Sequence, residues 1–469
     1  MIQLKRGRAP KLAVCPLTAT NAWRTPMRIL LIAPAWRTDC WNGGKTLTPP
    51  NALPILASLT PPDVDVQLMD ENVGAVDTKA EVDLVGISSM TASAPRAYQI
   101  ADAFRARGVP VVLGGMHPTA MPEEAGRHAD AVVMGEAEGQ WETLLEDFGR
   151  GQMKPLYRSD ERPSLEGLPL PRRDLLKRSA YLLPNMIHTA RGCPHACTFC
   201  SVTPVFGRKY RFRPVDEVVE EVRSLGVRSL GFGDDNIVAS PARAKQLFEK
   251  LIPLKLQWVG QGDLSMAKDP ELMELMRRSG CVAMFVGLES TSPESLALAH
   301  KQPNLGLDLS ETIDTVHRHG LDIIGSFVFG LDADTPEVCT ATLEFAMRKK
   351  LAAAQFAVLT PFPGTPVYEQ LVAEDRILDP DWSKYTMGNV VFKPRGMSPA
   401  ELAAERAKAY DRFYSMGSIA RRMLVWRGGH PKVLLRAATN LSYRRINRGG
   451  RICSTVPHDG RVAAPRPVR

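Results

Sequence analysis

Apolar residues in this chain gather into short runs separated by stretches of helical period. Between residues 28 and 149 the runs fall at 28–33, 64–69, 84–88, 109–113 and 131–134. They are too short for helices and too continuously apolar for a half-exposed sheet, so they predict buried parallel strands. Helical patterns at 95–107 and 138–148 lie between them. The alternation predicts a five-stranded parallel α/β unit over 27–149, with any ligand beyond the carboxyl ends of its strands. A charged stretch over 150–184, punctuated by Pro163, Pro169, Pro171 and Pro184, reads as a surface linker. A second series starts at 185, with runs at 185–189, 229–232, 256–259, 282–287, 322–329 and 353–359. Helical patterns at 214–225, 241–251, 270–279 and 336–349 alternate with them. Six such units over 185–365 predict an open (β/α)6 partial barrel rather than a closed eightfold one, with its chemistry at the carboxyl ends of the strands. Residues 366–449 read as a helical extension that closes or extends the open side. Residues 450–469 read as a disordered basic tail.

Composition refines this picture in two places. A hydrophobic content of 44% and a charged content of 23% suit a soluble globular chain of two or three domains. No apolar run reaches the roughly 18 residues of a membrane span. The net charge of +8 is unevenly placed: 421–469 carry +11 and 1–26 carry +5, which leaves the body at −8. The fold itself is therefore not a nucleic-acid binder by charge. The tail mixes Lys and Arg with the apolar clusters 423–426 and 433–435, a combination that could hold it peripherally against an anionic membrane. The alternative is a solvated tail. Residues 1–26 lack any period, and the pattern begins abruptly at Met27; this reads as the start of translation, with a disordered basic arm as the alternative.

Candidate chemistry concentrates after the first run of the second series. Cys193, Cys197 and Cys200 stand at i, i+4 and i+7 in Cys193-Pro-His-Ala-Cys197-Thr-Phe-Cys200. Thiolates are soft ligands for iron–sulfur clusters and zinc, and a closed site wants four. Three leave one iron of a four-iron cluster open to a small molecule. Cys15, Cys40, Cys281, Cys339 and Cys453 are scattered and supply no neighbouring fourth ligand. A zinc site borrowing His195 and a redox pair are the competing readings. The other strand ends of the second series carry Asp234-Asp235-Asn236, Gln261 and Asp263, Glu289, and Ser326. Any one of them could be a helix cap, but a ring of them predicts one polar site. In the first series the strand ends read Ser88-Ser89, then Gly114-Gly115 with His117, then Gly135-Glu136. Glycines there would let a large ligand approach the backbone.

The cysteine spacing, with an aromatic residue before the last cysteine, resembles the radical S-adenosylmethionine (radical SAM) enzymes. The first series resembles the Rossmann-like, cobalamin-binding domain that precedes many of them. The resemblance covers about 27–368. It implies that Cys193, Cys197 and Cys200 hold a 4Fe-4S cluster whose open iron chelates S-adenosylmethionine. It also implies that Asp234 and Asp235 accept from the methionine ammonium, that Gln261 and Glu289 meet the ribose, and that Phe199 and Ser326 lie near the adenine. Ser88, Ser89, Gly114, Gly115, His117, Gly135 and Glu136 would face cobalamin, the first serine and the double glycine lining its nucleotide tail. The loop after the first strand (residues 34–44) lacks the cobalt-ligating histidine of the methionine synthase type, and His117 is not its equivalent, so no protein histidine would sit below the metal. The implied activity is radical methylation of an unactivated carbon of a small-molecule or lipid metabolite. The alternatives are oxidative cyclisation or ring rearrangement without methyl transfer, or a non-catalytic cobalamin or redox sensor. A low-potential donor such as flavodoxin or ferredoxin would supply electrons. A reducing, cytoplasmic setting follows from the cluster.

Overall fold

The computed structural model describes residues 27–35, 47–423, 436–437 and 439–444. The sequence builds two parallel sheets. The first contains β1 (Arg28–Ala33), β2 (Asp65–Asp70), β3 (Leu84–Ser88), β4 (Val111–Gly114), β5 (Ala131–Met134) and β6 (Leu156–Arg158), in the order β2-β1-β3-β4-β5-β6. Every pairing is parallel. Beyond Arg28, β1 is buried throughout, because helices cover both faces of the sheet. The order in which strands are added across the sheet switches sides between β1 and β3, which opens a crevice at their carboxyl ends. Gly86 is needed in β3: a Cβ there would stand 2.8 Å from Leu31 and 3.3 Å from the Trp141 ring.

One strand here was not expected. Part of the stretch read as linker pairs with β5 as the sixth strand, β6, and buries Tyr157, whose hydroxyl donates to Asp147 at 3.0 Å. Three residues with exposed–buried–exposed burial give too short a period to read in advance. The rest of this stretch is bonded to both halves of the chain: Arg173 donates to the Met186 carbonyl at 2.7 Å, and two bonds run back to the first half. Arg172 N–H donates to Pro54 at 2.9 Å, and the Tyr181 hydroxyl donates to Asp70 at 3.1 Å.

The second half begins with β7 (Met186–Ile187), followed by an antiparallel ribbon of β8 (Ala190–Arg191) and β9 (Arg211–Phe212). Then come β10 (Ser229–Phe232), β11 (Gln257–Gly262), β12 (Cys281–Glu289), β13 (Asp322–Phe329) and β14 (Ala353–Val358). Their sheet runs β14-β13-β12-β11-β10-β7, parallel and in chain order, as an open barrel requires. β7 is shorter than expected because Asp234 accepts the N–H groups of Thr189 and Ala190, at 2.7 and 2.6 Å, drawing the chain off the sheet. At the far edge, helix Pro399–Phe413 lies along β14. Its Tyr410 hydroxyl meets Phe356 N–H at 3.2 Å, and the Tyr414 hydroxyl just beyond it meets both N–H (3.1 Å) and carbonyl (2.7 Å) of Ala354.

Two arginines of the described part of the basic tail face inward, while Arg421 is exposed. Arg422 is 4% exposed and lies 3.6 Å over the Phe413 ring, and Arg436 pairs with buried Asp322. Residues 1–26, the loop 36–46, and 424–435 and 445–469, on which the arm, missing-histidine and membrane readings rest, lie outside the described residues. Among the described residues no helix is long and apolar enough to cross a membrane.

Candidate active site

The ribbon β8/β9 brackets the loop that carries the cysteines. Gly192 turns the chain into it with φ +90°, and a Cβ there would lie 2.6 Å from the Lys209 carbonyl, so only glycine fits. Further along, Cys200 N–H donates to the Cys197 carbonyl at 3.2 Å, and Thr198 is tied to Ala299 and Val367 by backbone bonds of 3.1 and 3.0 Å. The three thiols are half-buried and none is in a disulfide. Burial pushes all three up, Cys200 to about 12. Among the described residues no three His, Cys, Asp or Glu side chains converge on a single ion. Thiolates that each bind a different iron of one cube need not converge.

Polar groups from the neighbouring strand ends surround this loop. Asp234 is buried, with Oδ1 held by the two backbone N–H groups after β7 and Oδ2 without a partner. Burial pushes its carboxyl up to about 6. Asp235 beside it is half-buried and makes no side-chain hydrogen bond or ion pair among the described residues; burial, then the Asp234 charge, push it up to about 7. Gln261 is exposed and donates to the Asp235 carbonyl at 3.1 Å. Asp263 anchors the loop itself: Nε2 of His195 stands 3.2 Å away, and Asn236 donates at 2.6 Å. Burial would raise the Asp263 carboxyl, but the bonds from His195, Ser265 and Asn236 outweigh it and hold it well below the usual carboxylate range.

Glu289 adopts φ +63° where the register of β12 against β13 shifts, and it pairs with Lys301 at 2.8 Å. A backbone strained in this way is a feature of functional sites. Lys301 was not anticipated, because it follows a short helix in a stretch without pattern. Burial would lower its ammonium, but Glu289 and the Cys197 thiolate hold it above the usual range. Ser326 is half-buried in β13 opposite Gly287, and Phe199 packs on the barrel core.

The strand ends of the first sheet divide into three groups. Ser88 and Gly114 are neighbours in register, Ser89 Oγ is buried without a partner, and an added Cβ at Gly135 would meet nothing within 4 Å. An orphaned hydroxyl and an open glycine suit a ligand that approaches the backbone closely, as the nucleotide tail of cobalamin would. Gly115, by contrast, serves the fold: it has φ +100°, and a Cβ would strike the Ser89 carbonyl at 2.7 Å. His117 and Glu136 are engaged elsewhere. His117 is fully enclosed, 3.3 Å from Glu124 and edge-on to Trp382, and burial pushes its imidazole down. Glu136 is paired with Arg191 at 2.7 Å and with Arg211.

Comparison with known proteins agrees with this geometry. The chain matches the family model of the radical SAM superfamily over residues 187–346 and that of the B12 binding domain over 47–145. It is 32% identical to the bacteriochlorophyllide d C-12(1)-methyltransferase of Chlorobaculum tepidum, over 84% of this chain and 89% of the relative. It is 31% identical to the bacteriochlorophyllide d C-8(2)-methyltransferase of the same organism, over 84% and 91%. A similar fold, with TM-score 0.59 at 20% identity over 81% of this chain and 85% of the other, occurs in the radical S-adenosylmethionine methyltransferase TsrM from Kitasatospora setae, solved with cobalamin and a 4Fe-4S cluster bound. The chain has the two domains in the order expected, and its cofactors are the 4Fe-4S cluster, S-adenosylmethionine and cobalamin. It belongs to the cobalamin-dependent radical S-adenosylmethionine methyltransferases.

Proposed function

We propose that Cys193, Cys197 and Cys200 hold the cluster and that Asp235 receives the ammonium of S-adenosylmethionine. The observation that carries this reading is Asp235 itself: a carboxyl with no cation in contact among the described residues, in the turn that follows β10, the strand next to β7. Its charge is felt at Cys193 and Cys200, which supports a ligand that bridges the cysteine loop and this carboxyl. Asp234 is a positioning residue, because its Oδ1 holds the backbone that leads into the cysteines. Ser88, Ser89, Gly114 and Gly135 take the cobalamin tail. Bound there, the cluster and S-adenosylmethionine supply radical chemistry and cobalamin supplies the methyl group.

The substrate in this reading is an apolar ring-bearing metabolite methylated on an unactivated carbon, with a chlorophyllide-type tetrapyrrole as the first class to try. Two relatives that carry that substrate in their names support it. Anaerobic turnover with methyl-labelled S-adenosylmethionine tests it. Label in a carbon-bound methyl of the product, with 5′-deoxyadenosine formed, is the expected result. Ring closure without label sinks it.

A further inference from the structure

The ribbon at the base of the cysteine loop contains a conflict that only the other domain resolves. Arg191 and Arg211 are direct partners across the antiparallel pair. Like charges in that position are destabilising, and both side chains are largely buried, at 14% and 10% exposure. Two carboxylates from the loop after β5 neutralise them. Glu136 bridges both arginines, reaching Arg191 at 2.7 Å, and Glu138 takes the remaining arm of Arg191 at 2.6 Å. Arg162 stands 3.8 Å from Glu136 and donates to the Val205 carbonyl, closing the cluster from outside. Glu136 follows Gly135, whose open face lies at the strand ends of the first sheet, and Arg191 lies two residues before Cys193. The path from the first cofactor face to the first thiolate is therefore Gly135, Glu136, Arg191, Gly192, Cys193.

We propose that Glu136 and Glu138 are the clamp that closes the cysteine ribbon, which makes Arg191 and Arg211 positioning residues that carry occupancy of the cobalamin face to the cysteine loop. The clamp couples two sites whose ligands never need to touch. It rests on the assignment of the cobalamin face to the strand ends of the first sheet, but its first test does not.

That test is amide hydrogen exchange on the full chain without cofactors. Glu138→Gln removes one of the two carboxylates on Arg191, and exchange over 188–213 should rise about tenfold, as loss of one charge-assisted bond implies. Exchange in Pro399–Phe413, on the far edge of the barrel, should stay the same. Glu136→Gln should raise the 188–213 exchange further; if that variant does not fold, Glu138→Gln decides alone. Unchanged exchange over 188–213, or an equal rise in the distant helix, overturns the clamp. Hydroxocobalamin is then added to cofactor-free wild type and to Glu138→Gln. Slower exchange over 188–213 in wild type, diminished in the variant at equal corrin occupancy, is the expected result. No wild-type response despite bound corrin overturns the coupling. Absence of corrin binding altogether would instead refute the assigned cofactor face.

Discussion

Two acidic pairs stand at the ends of parallel strands in this molecule, and they meet opposite fates. Glu136 and Glu138 follow β5 and are surrounded by guanidinium groups from the other half of the chain. Burial would raise Glu138, but the bond and charge of Arg191 outweigh it and hold the carboxyl low. Asp234 and Asp235 follow β10 and have no cation in contact among the described residues. One accepts backbone N–H groups and the other accepts nothing, and burial pushes both carboxyls up. A buried charge with its counter-charge supplied by the chain belongs to the architecture. A buried acid without one is costly, and in the reading proposed above a cationic ligand supplies what is missing.

The largest effects expected lie at the cysteines. Cys193→Ala, Cys197→Ala or Cys200→Ala should abolish both cluster absorbance and 5′-deoxyadenosine formation. Cys281→Ala and Cys339→Ala, in the barrel core, should keep both; a cluster lost with Cys281 and kept without Cys197 would refute the ligand set. The acidic pairs come next, and they should split. Glu136→Gln strands buried arginine charge, and removing one partner of such a pair costs about 3 kcal/mol; denaturant unfolding of the apoprotein measures it. Asp235→Asn should cost no stability, yet weaken S-adenosylmethionine binding about ten- to a hundredfold through the lost charge-assisted bond. If both variants fell equally in stability, the distinction between the pairs would fail.

Acidity sharpens the same contrast. The Asp235 carboxyl sits at about 7 in the folded chain, above its ordinary value of 3.8. A raised acid binds its proton more tightly when folded, so the stabilisation is present at low pH and fades as pH climbs from about 4 through about 7. The ligand-free protein should lose melting temperature across that window, and Asp235→Asn should lose less. S-adenosylmethionine should bind more tightly over the same rise, since the ionised form is the one that pairs. The smallest effect is at Gly135→Ala, with φ +78° but open space around it. It should cost about 1 kcal/mol of stability and disproportionately weaken corrin binding, read by titration of corrin absorbance. Gly115→Ala should damage the fold itself, because Ser89 blocks it.

Much of this arrangement is legible in the residues taken alone. Leu84–Ser88, Ala131–Met134, Ser229–Phe232 and helix Pro241–Leu251 fall where their patterns place them, because each buries a continuous apolar run or a periodic stripe against its own neighbours. β6, β8 and β9 are two or three residues long, and pairing with distant segments defines them. The same distance hides the role of Glu136, whose partners stand 55 and 75 residues away. A Gly-Glu turn after a strand looks alike whether it meets a ligand or an arginine. Lys301 has no local signal; only the strained return of β12 brings it to Glu289.

The tyrosines of the C-terminal helix have a bearing on how this protein keeps to itself. An open barrel ends in a strand whose outer N–H and C=O groups would template pairing with another molecule. Here three phenol–backbone bonds to Phe356 and Ala354 occupy that edge. A chain cut before Pro399 would retain every residue assigned here to a cofactor and yet leave the outward groups of Ala354 and Phe356 in β14 uncovered, with Val358 N–H still held by the Met387 carbonyl. Its failure would appear as self-association through strand addition rather than as lost chemistry.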